Sequence, residues 1–143
     1  MAGETQTLTL NDHEFQQLVN IQRKVKEHFE NNASDAHTIE MSLAAFSSSL
    51  LGLALWKFTP YSVALSIISL LAGASSTIID GYVQTCKNGE LALLTAKNTM
   101  NNLRGVSARV TITYKKLNGW EDLYSVDKVT THYVTLADGR IVY

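Results

Sequence analysis

Four histidines and one cysteine are the residues best suited to catalysis or metal binding, and their spacing matches no known signature. His37 and Glu40 are placed to share one helical face, but a zinc site needs at least three ligands held by surrounding hydrogen bonds. Cys86 stands next to Lys87, yet a nucleophilic thiol also needs a positioned base. Phosphate-loop, dinucleotide-binding and hydrolase motifs do not occur. We therefore expect no enzymatic activity, no cofactor and no metal.

Small residues form the most regular pattern in the chain, and it suits close helix packing rather than catalysis. At about 100° per residue, five of them fall inside an arc of about 80° on one helix. This small-residue stripe consists of Ser62, Ser66, Ser69, Gly73 and Ser76. The preceding apolar stretch carries a similar small face formed by Ala44, Ser48 and Gly52. The stripe packs helices within a pair or between copies, or its hydroxyls line an aqueous path in an oligomer.

These small faces require two apolar helices, which we predict over residues 36–58 and 61–83 with Thr59 and Pro60 between them. Proline is tolerated in the first turn of a helix and disfavours helix in the residue before it. A tight corner is therefore expected from Lys57 to Pro60, and the helices should form an antiparallel hairpin over about 36–83. We call residues 41–79 the apolar segment, because these 39 residues carry one charge, Lys57.

The apolar segment has the composition of a membrane hairpin. A transmembrane helix needs about 20 apolar residues, with a range of roughly 17–25. The second predicted helix has 19 uncharged residues at 61–79, and the first has a marginal 16 at 41–56. Trp56, Lys57 and Tyr61 at the corner would then lie at a membrane interface. Most lysines and arginines lie towards the chain termini, which predicts a hairpin with both ends cytoplasmic.

Burial inside a soluble protein is the competing interpretation of the apolar segment. A helix that is apolar on all sides needs roughly five or six helical neighbours to escape water, and this chain offers too few. Either a bilayer or further copies of the chain must cover the remainder. We therefore expect self-association, and a compact soluble monomer is the remaining alternative.

Amphipathic and alternating patterns flank the apolar segment and predict an α+β fold. Residues 11–32 should form an amphipathic helix capped by Asn11 and Glu14, and residues 88–105 a further helix. From residue 106 the apolar period changes to two, and Asn118-Gly119 and Asp138-Gly139 predict turns. The C-terminal part, 106–143, is thus an antiparallel meander of three or four strands. It should pack on the helical region 1–105 as one domain.

Alternation along the first predicted strand places Val110, Ile112 and Tyr114 on one buried face. The meander also carries a basic and aromatic cluster made of Arg109, Lys115, Lys116, Tyr114 and Trp120. Three positive charges are too few for nucleic-acid binding, but each contributes about 1 kcal/mol near an anionic lipid surface. The alternative is that these residues are ordinary solvated positions of strands and hairpin ends.

Composition and charge exclude several classes of protein. The net charge is −1, so the chain lacks the basic surface on which nucleic-acid affinity depends. Charged residues make up only 17% of the chain, below the roughly 25% that is usual. The single cysteine excludes an intrachain disulfide. The first 40 residues lack the early apolar run of a secretory signal, so no cleavable signal peptide is expected.

Together these features predict a small membrane-active protein that oligomerises through its apolar hairpin, in the manner of a pore-forming toxin or a bacteriocin. Its expected partners are the lipid bilayer and other copies of itself, with no nucleic acid and no small-molecule substrate. One alternative is a resident two-span membrane protein with a cytoplasmic β module, acting as an effector or an immunity factor. The other is a soluble homo-oligomeric scaffold in which the hairpins bury one another.

Overall fold

A computed structural model describes residues 4–116 and 123–143, and it confirms the α+β class. In chain order the elements are β1 (Thr5–Leu10), α1 (Asp12–Glu30), α2 (Ala36–Leu43), α3 (Ser48–Leu55), α4 (Pro60–Leu71), α5 (Ser76–Asn102), β2 (Gly105–Lys116), β3 (Tyr124–Leu136) and β4 (Ile141–Val142). The four strands form one antiparallel sheet in the order β1-β2-β3-β4. Helix α5 lies against β2 and β3, and α1 packs along α5.

Helix α1 begins where the sequence predicts. The Asn11 side chain accepts a hydrogen bond from the Glu14 amide at 2.8 Å, and the Glu14 carboxylate accepts one from the Asn11 amide at 3.0 Å. This capping box satisfies two of the amides that the first turn of a helix leaves without partners. The apolar side of α1 is fully buried, with Phe15, Leu18 and Val25 at 0% exposure.

Strand β1 lies inside the region 1–105 that was predicted to be helical. It pairs with β2 in antiparallel register, with Leu8 opposite Val110 and Leu10 opposite Ala108. The strand has six residues, and only Leu8 and Leu10 among them are apolar, so the alternating pattern is too short to stand out in the sequence. The sheet therefore gains its first strand from the N-terminal end of the chain.

The buried face of β2 is confirmed. Val110 and Ile112 are 0% exposed and Tyr114 is 1% exposed. Strand β3 contains a bulge at Asp127. The residues on either side of it, Val126 and Lys128, pair with Tyr114 and Thr113, so Asp127 has no partner on β2. The turn at Asp138-Gly139 is confirmed, with Gly139 at φ 88°. The turn predicted at Asn118-Gly119 lies outside the described residues.

The prediction of one continuous helix over 36–58 is wrong. This stretch forms two helices, α2 and α3, with residues 44–47 between them. Ser47 caps α3 by accepting a hydrogen bond from the Leu50 amide. The helix predicted over 61–83 is also interrupted, by residues 72–75. Gly73 adopts φ 81° there, and Ser75 caps α5 through the Ile78 amide. Serine caps and one left-handed glycine thus divide each predicted apolar helix into two.

Helix α5 joins segments that were predicted to be separate. It runs without a break through Gly89, which had indicated a helix boundary. Gly89 is buried where α5 crosses β3, and a Cβ atom at this position would collide with the carbonyl oxygen of Val126. The glycine therefore permits close helix–sheet packing rather than ending the helix.

One cluster of buried apolar side chains connects the helices to the sheet. It runs from Leu18 of α1 and Leu93 of α5 to Val110 of β2, each of which is 0% exposed. Leu51 of α3 and Leu70 of α4 belong to the same cluster. We call β1, α1, α5 and β2–β4 the scaffold, because these elements hold the apolar segment in place.

Candidate functional site

The corner between α3 and α4 lies where Pro60 predicts it. Thr59 caps α4 by accepting a hydrogen bond from the Ser62 amide, and Pro60 occupies the first helical turn. Both Trp56 and Lys57 adopt the left-handed conformation, with φ 56° and 70°. This conformation costs about 1–2 kcal/mol for each non-glycine residue. The corner is therefore a strained point between two unstrained helices.

The two helices of the corner do not pack on each other as the predicted hairpin requires. Helix α4 packs chiefly on α2 and only lightly on α1, while α3 packs on α1 and β3. The two predicted arms therefore touch through α2 and α4, and the expectation that they are continuous helices paired along their whole length is wrong. Its cause is the break at residues 44–47, which lets α2 turn back onto α4 independently of α3.

The outer side of α4 is uncharged, whereas α2 beside it carries Glu40 and an exposed His37. Met41 of α2 is 61% exposed, and Tyr61 and Leu65 of α4 are 59% and 42% exposed. Neither α3 nor α4 contains an Asp, Glu, Lys, Arg or His. A helix on the surface of a soluble protein usually presents charged residues to water. The outer side of α4 instead presents apolar and hydroxyl side chains.

Among the described residues, one stretch is long and apolar enough to cross a membrane by length and composition. It covers Ser48–Leu71, and its most apolar 18 residues have a mean hydropathy of 1.4 and are 33% buried within the protein. The stretch contains the corner, so as folded it is two helices of 8 and 12 residues. Their lengths of about 12 and 18 Å fall short of the roughly 30 Å of a bilayer core.

The small-residue stripe is divided in the folded chain, so its prediction as one helical face is wrong. Ser62, Ser66 and Ser69 share a side of α4, with Ser62 and Ser66 half-buried and Ser69 exposed. Gly73 lies in the turn between α4 and α5, and Ser76 opens α5. A Cβ atom on Gly73 would meet no atom within 4 Å. The turn at residues 72–75 separates the last two members from the first three.

The small face predicted on the first helix is divided as well. Ala44 is the C-cap of α2, Ser48 is the first residue of α3, and Gly52 lies inside α3. A Cβ atom on Gly52 would lie 3.7 Å from the backbone of Lys57. Gly52 thus packs against the corner rather than against a second helix.

Two of the predicted membrane-interface residues are held at the end of the sheet. The Trp56 ring contacts Tyr114 in a tilted arrangement, with ring centroids 4.9 Å apart and 45° between the ring planes, and the Lys57 ammonium lies 4.9 Å from the centre of the Trp56 ring. Tyr114 is followed on β2 by the exposed Lys115 and Lys116. The contact between Trp56 and Tyr114 therefore places the apolar corner beside the basic end of β2.

The other predicted interface residues are placed differently. Tyr61 is exposed in the first turn of α4. Arg109 lies five residues before Tyr114, on the opposite face of the sheet, where its guanidinium donates to the Thr9 hydroxyl at 3.2 Å. Six residues of extended strand, about 20 Å, separate it from Lys115. Trp120 lies outside the described residues.

A buried polar contact, which the sequence analysis missed, fixes α3 to the scaffold. Gln22 and Ser125 are both 0% exposed, and the Ser125 hydroxyl donates to the Gln22 side-chain oxygen at 2.7 Å. The Gln22 amide group donates to the Ala54 carbonyl in α3 at 2.9 Å. The sequence carries a signal for Gln22, because it fills the gap between Leu18 and Val25 in the apolar stripe of α1.

The remaining candidates for chemistry do not form a reactive site. Burial raises the pKa of the Cys86 thiol to about 12, so the thiol stays protonated near neutral pH. Within residues 4–116 and 123–143, no three His, Cys, Asp or Glu residues come together to hold a metal. An open cavity of about 490 Å³ lies between the end of α1 and the first half of α5. Its floor is apolar, with Phe29, Ile79 and Val83, and its rim carries charges of both signs.

Comparisons of the chain with protein-family models, with curated proteins and with solved structures find no match. A function must therefore be argued from the residues and geometry of the chain itself. The feature that departs most from an ordinary soluble domain is the partly exposed apolar segment, whose one charge is Lys57.

Proposed function

We propose that this chain is a membrane-active protein that inserts its apolar segment into a lipid bilayer and oligomerises there, in the manner of a pore-forming toxin or a bacteriocin. The observation that carries the proposal is the uncharged outer side of α4. Tyr61 and Leu65 are exposed on it, and α4 contains no charged side chain. Apolar surface exposed to water is favourably transferred into hydrocarbon, at about 25 cal/mol per Å².

The lengths of the broken helices support a change of shape on insertion. Residues 36–55 and 60–79 contain 20 residues each, with Glu40 near the start of the first stretch and no charged residue in the second, and each would be about 30 Å long as one continuous helix. That length equals the thickness of a bilayer core. Inside a bilayer the backbone must satisfy its own hydrogen bonds, which favours helix across residues 44–47 and 72–75. Insertion would thus join α2 to α3 and extend α4 into the first turn of α5.

The joining of the broken helices on insertion would also favour self-association. Continuous helix through residues 72–75 would return Gly73 and Ser76 to the face that already carries Ser62, Ser66 and Ser69. A complete stripe of small residues allows helix backbones to approach closely in lipid. The oligomer contact is therefore available after insertion, whereas the folded chain presents only part of it.

The corner and the end of β2 supply an approach surface for the membrane. Trp56, Lys57 and Tyr61 are residue types that favour the interface between lipid and water. Lys115 and Lys116 lie beyond Tyr114, the residue that contacts Trp56. Each lysine near an anionic surface contributes about 1 kcal/mol. We expect binding to vesicles that contain anionic lipid to exceed binding to neutral vesicles.

A soluble homo-oligomeric scaffold is the second candidate, favoured by the depth at which one side of the apolar segment is buried. Eight of its side chains are 0% exposed: Leu43, Leu51, Ala54, Leu55, Val63, Ala64, Ile67 and Leu70. In this alternative the exposed sides of α2 and α4 are covered by other copies. A resident two-span membrane protein is the third candidate, and it would require detergent for extraction.

Matched lysine substitutions on two exposed leucines test the membrane proposal. Leu65 of α4 is 42% exposed and Leu91 of α5 is 65% exposed, so neither change places a charge in the core. Lysine costs about 2.5–3.5 kcal/mol at the centre of a membrane helix and less towards its end, and Leu65 is the sixth of the 20 residues at 60–79. We expect Leu65→Lys to reduce dye release from anionic vesicles at least about tenfold, whereas Leu91→Lys leaves it unchanged. The proposal fails if the wild-type chain stays in the buffer as a soluble oligomer and releases no dye.

A further inference from the structure

We infer that Gln22 is a polar latch that holds α3, and with it the apolar segment, against the scaffold. Gln22 lies on the buried side of α1, and none of its surface is exposed. Its amide nitrogen donates to the Ala54 carbonyl oxygen, and its amide oxygen accepts from the Ser125 hydroxyl. A single side chain therefore connects α1, α3 and β3.

The Gln22 side chain supplies a hydrogen-bond donor to a carbonyl group at the end of α3. Ala54 lies in the last turn of α3, and the last carbonyl groups of a helix have no amide partner within that helix. The Gln22 amide supplies the donor from another element. The neighbouring contacts of Leu51 and Leu55 are apolar and do not impose a direction. The hydrogen bond is thus a directional contact that favours one position of α3 on the scaffold, beside the contact of Trp56 with Tyr114.

Release of α3 must break this bond. Unless water enters, release leaves the Gln22 amide and the Ala54 carbonyl without partners inside an apolar core. Buried polar groups are costly to leave unpaired, so this bond lowers the population of the released state by about tenfold. The role of the latch in membrane insertion rests on the proposed function, but the opening of α3 can be measured without a membrane.

The Gln22→Met variant tests the latch, because methionine has nearly the same volume and makes neither hydrogen bond. We expect the amides of residues 51–56 to exchange with solvent about tenfold faster, with no matching rise in the amides of α5. The Val110→Ala variant is the control, since Val110 is buried in β2, where the contact is with the sheet and α5. Its effect should appear in the scaffold amides rather than in α3 alone.

A second variant covers the case in which Gln22→Met fails to fold. Ser125→Ala removes the partner of the Gln22 oxygen but keeps the bond to Ala54, so a smaller, several-fold rise confined to α3 is expected. A uniform rise across α3 and α5 in both variants would overturn the latch. Selective opening of α3 with no increase in dye release from vesicles would support the latch and contradict the proposed membrane function.

Discussion

The scaffold and the apolar segment differ in how many charged side chains they carry. Charged pairs join α1 to α5 on the scaffold, with the Arg23 guanidinium 3.3 Å from the Glu90 carboxylate and the Lys97 ammonium 3.3 Å from that of Asp12. The apolar segment has one charge, Lys57, and that charge lies over the ring of Trp56. The proposed function depends on this difference, because it requires the scaffold to remain in water while the apolar segment enters the bilayer.

The contacts between the two regions are limited. Helix α4 depends mainly on α2, which belongs partly to the apolar segment itself, and α3 meets the scaffold through α1 and β3. Regions with few contacts to the rest of a protein can open without global unfolding. We therefore expect the apolar segment to open while the scaffold stays folded.

The largest expected effect comes from the same truncation made in each region. Leu93 of α5 and Leu70 of α4 are both 0% exposed, and a buried Leu→Ala change costs about 2–5 kcal/mol. We expect Leu93→Ala to lower the free energy of unfolding of the sheet by that amount. Leu70→Ala should lower it by about 1 kcal/mol or less, because it affects a region that opens separately. Amide exchange of β2 and β3 measures both values, and equal losses would mean that the chain unfolds as one unit.

A smaller effect is expected from two glycines of α5. Gly89→Ala would force a Cβ atom into the backbone of Val126, and overpacking of this kind costs about 1–3 kcal/mol. A Cβ atom at Gly81 would meet nothing within 4 Å, so Gly81→Ala should raise stability by about 0.8–1.0 kcal/mol through helix propensity. Chemical denaturation followed by circular dichroism measures both changes. Equal effects at the two positions would contradict the close contact of α5 with β3.

The parts of the fold that could be predicted are those with a local cause. Pro60 determines the corner, Asn11 and Glu14 determine the start of α1, and alternation along β2 determines its buried face. The breaks at residues 44–47 and 72–75 have weaker local causes. Ala44 and Ala45 are compatible with a continuous helix, so the Ser47 cap is the local signal for the first break.

The candidate site was only partly predictable for the same reason. Trp56 and Lys57 could be recognised by residue type, but their contact with Tyr114 joins residues far apart in the chain. The small-residue stripe assumed a continuous helix, which Gly73 interrupts at a positive φ. Gln22 occupies an apolar position of the α1 stripe, and only the neighbouring Ala54 and Ser125 reveal its partners.

The fluorescence of Trp56 tests the transfer of the apolar corner into lipid most directly. A Trp120→Phe variant leaves Trp56 as the only tryptophan of the chain. In the folded protein its ring is in tilted contact with the ring of Tyr114. On addition of anionic vesicles with brominated acyl chains, the membrane proposal predicts a blue shift of the emission together with quenching by the bromine atoms. Emission that stays unshifted and unquenched in excess vesicles would contradict insertion of the corner.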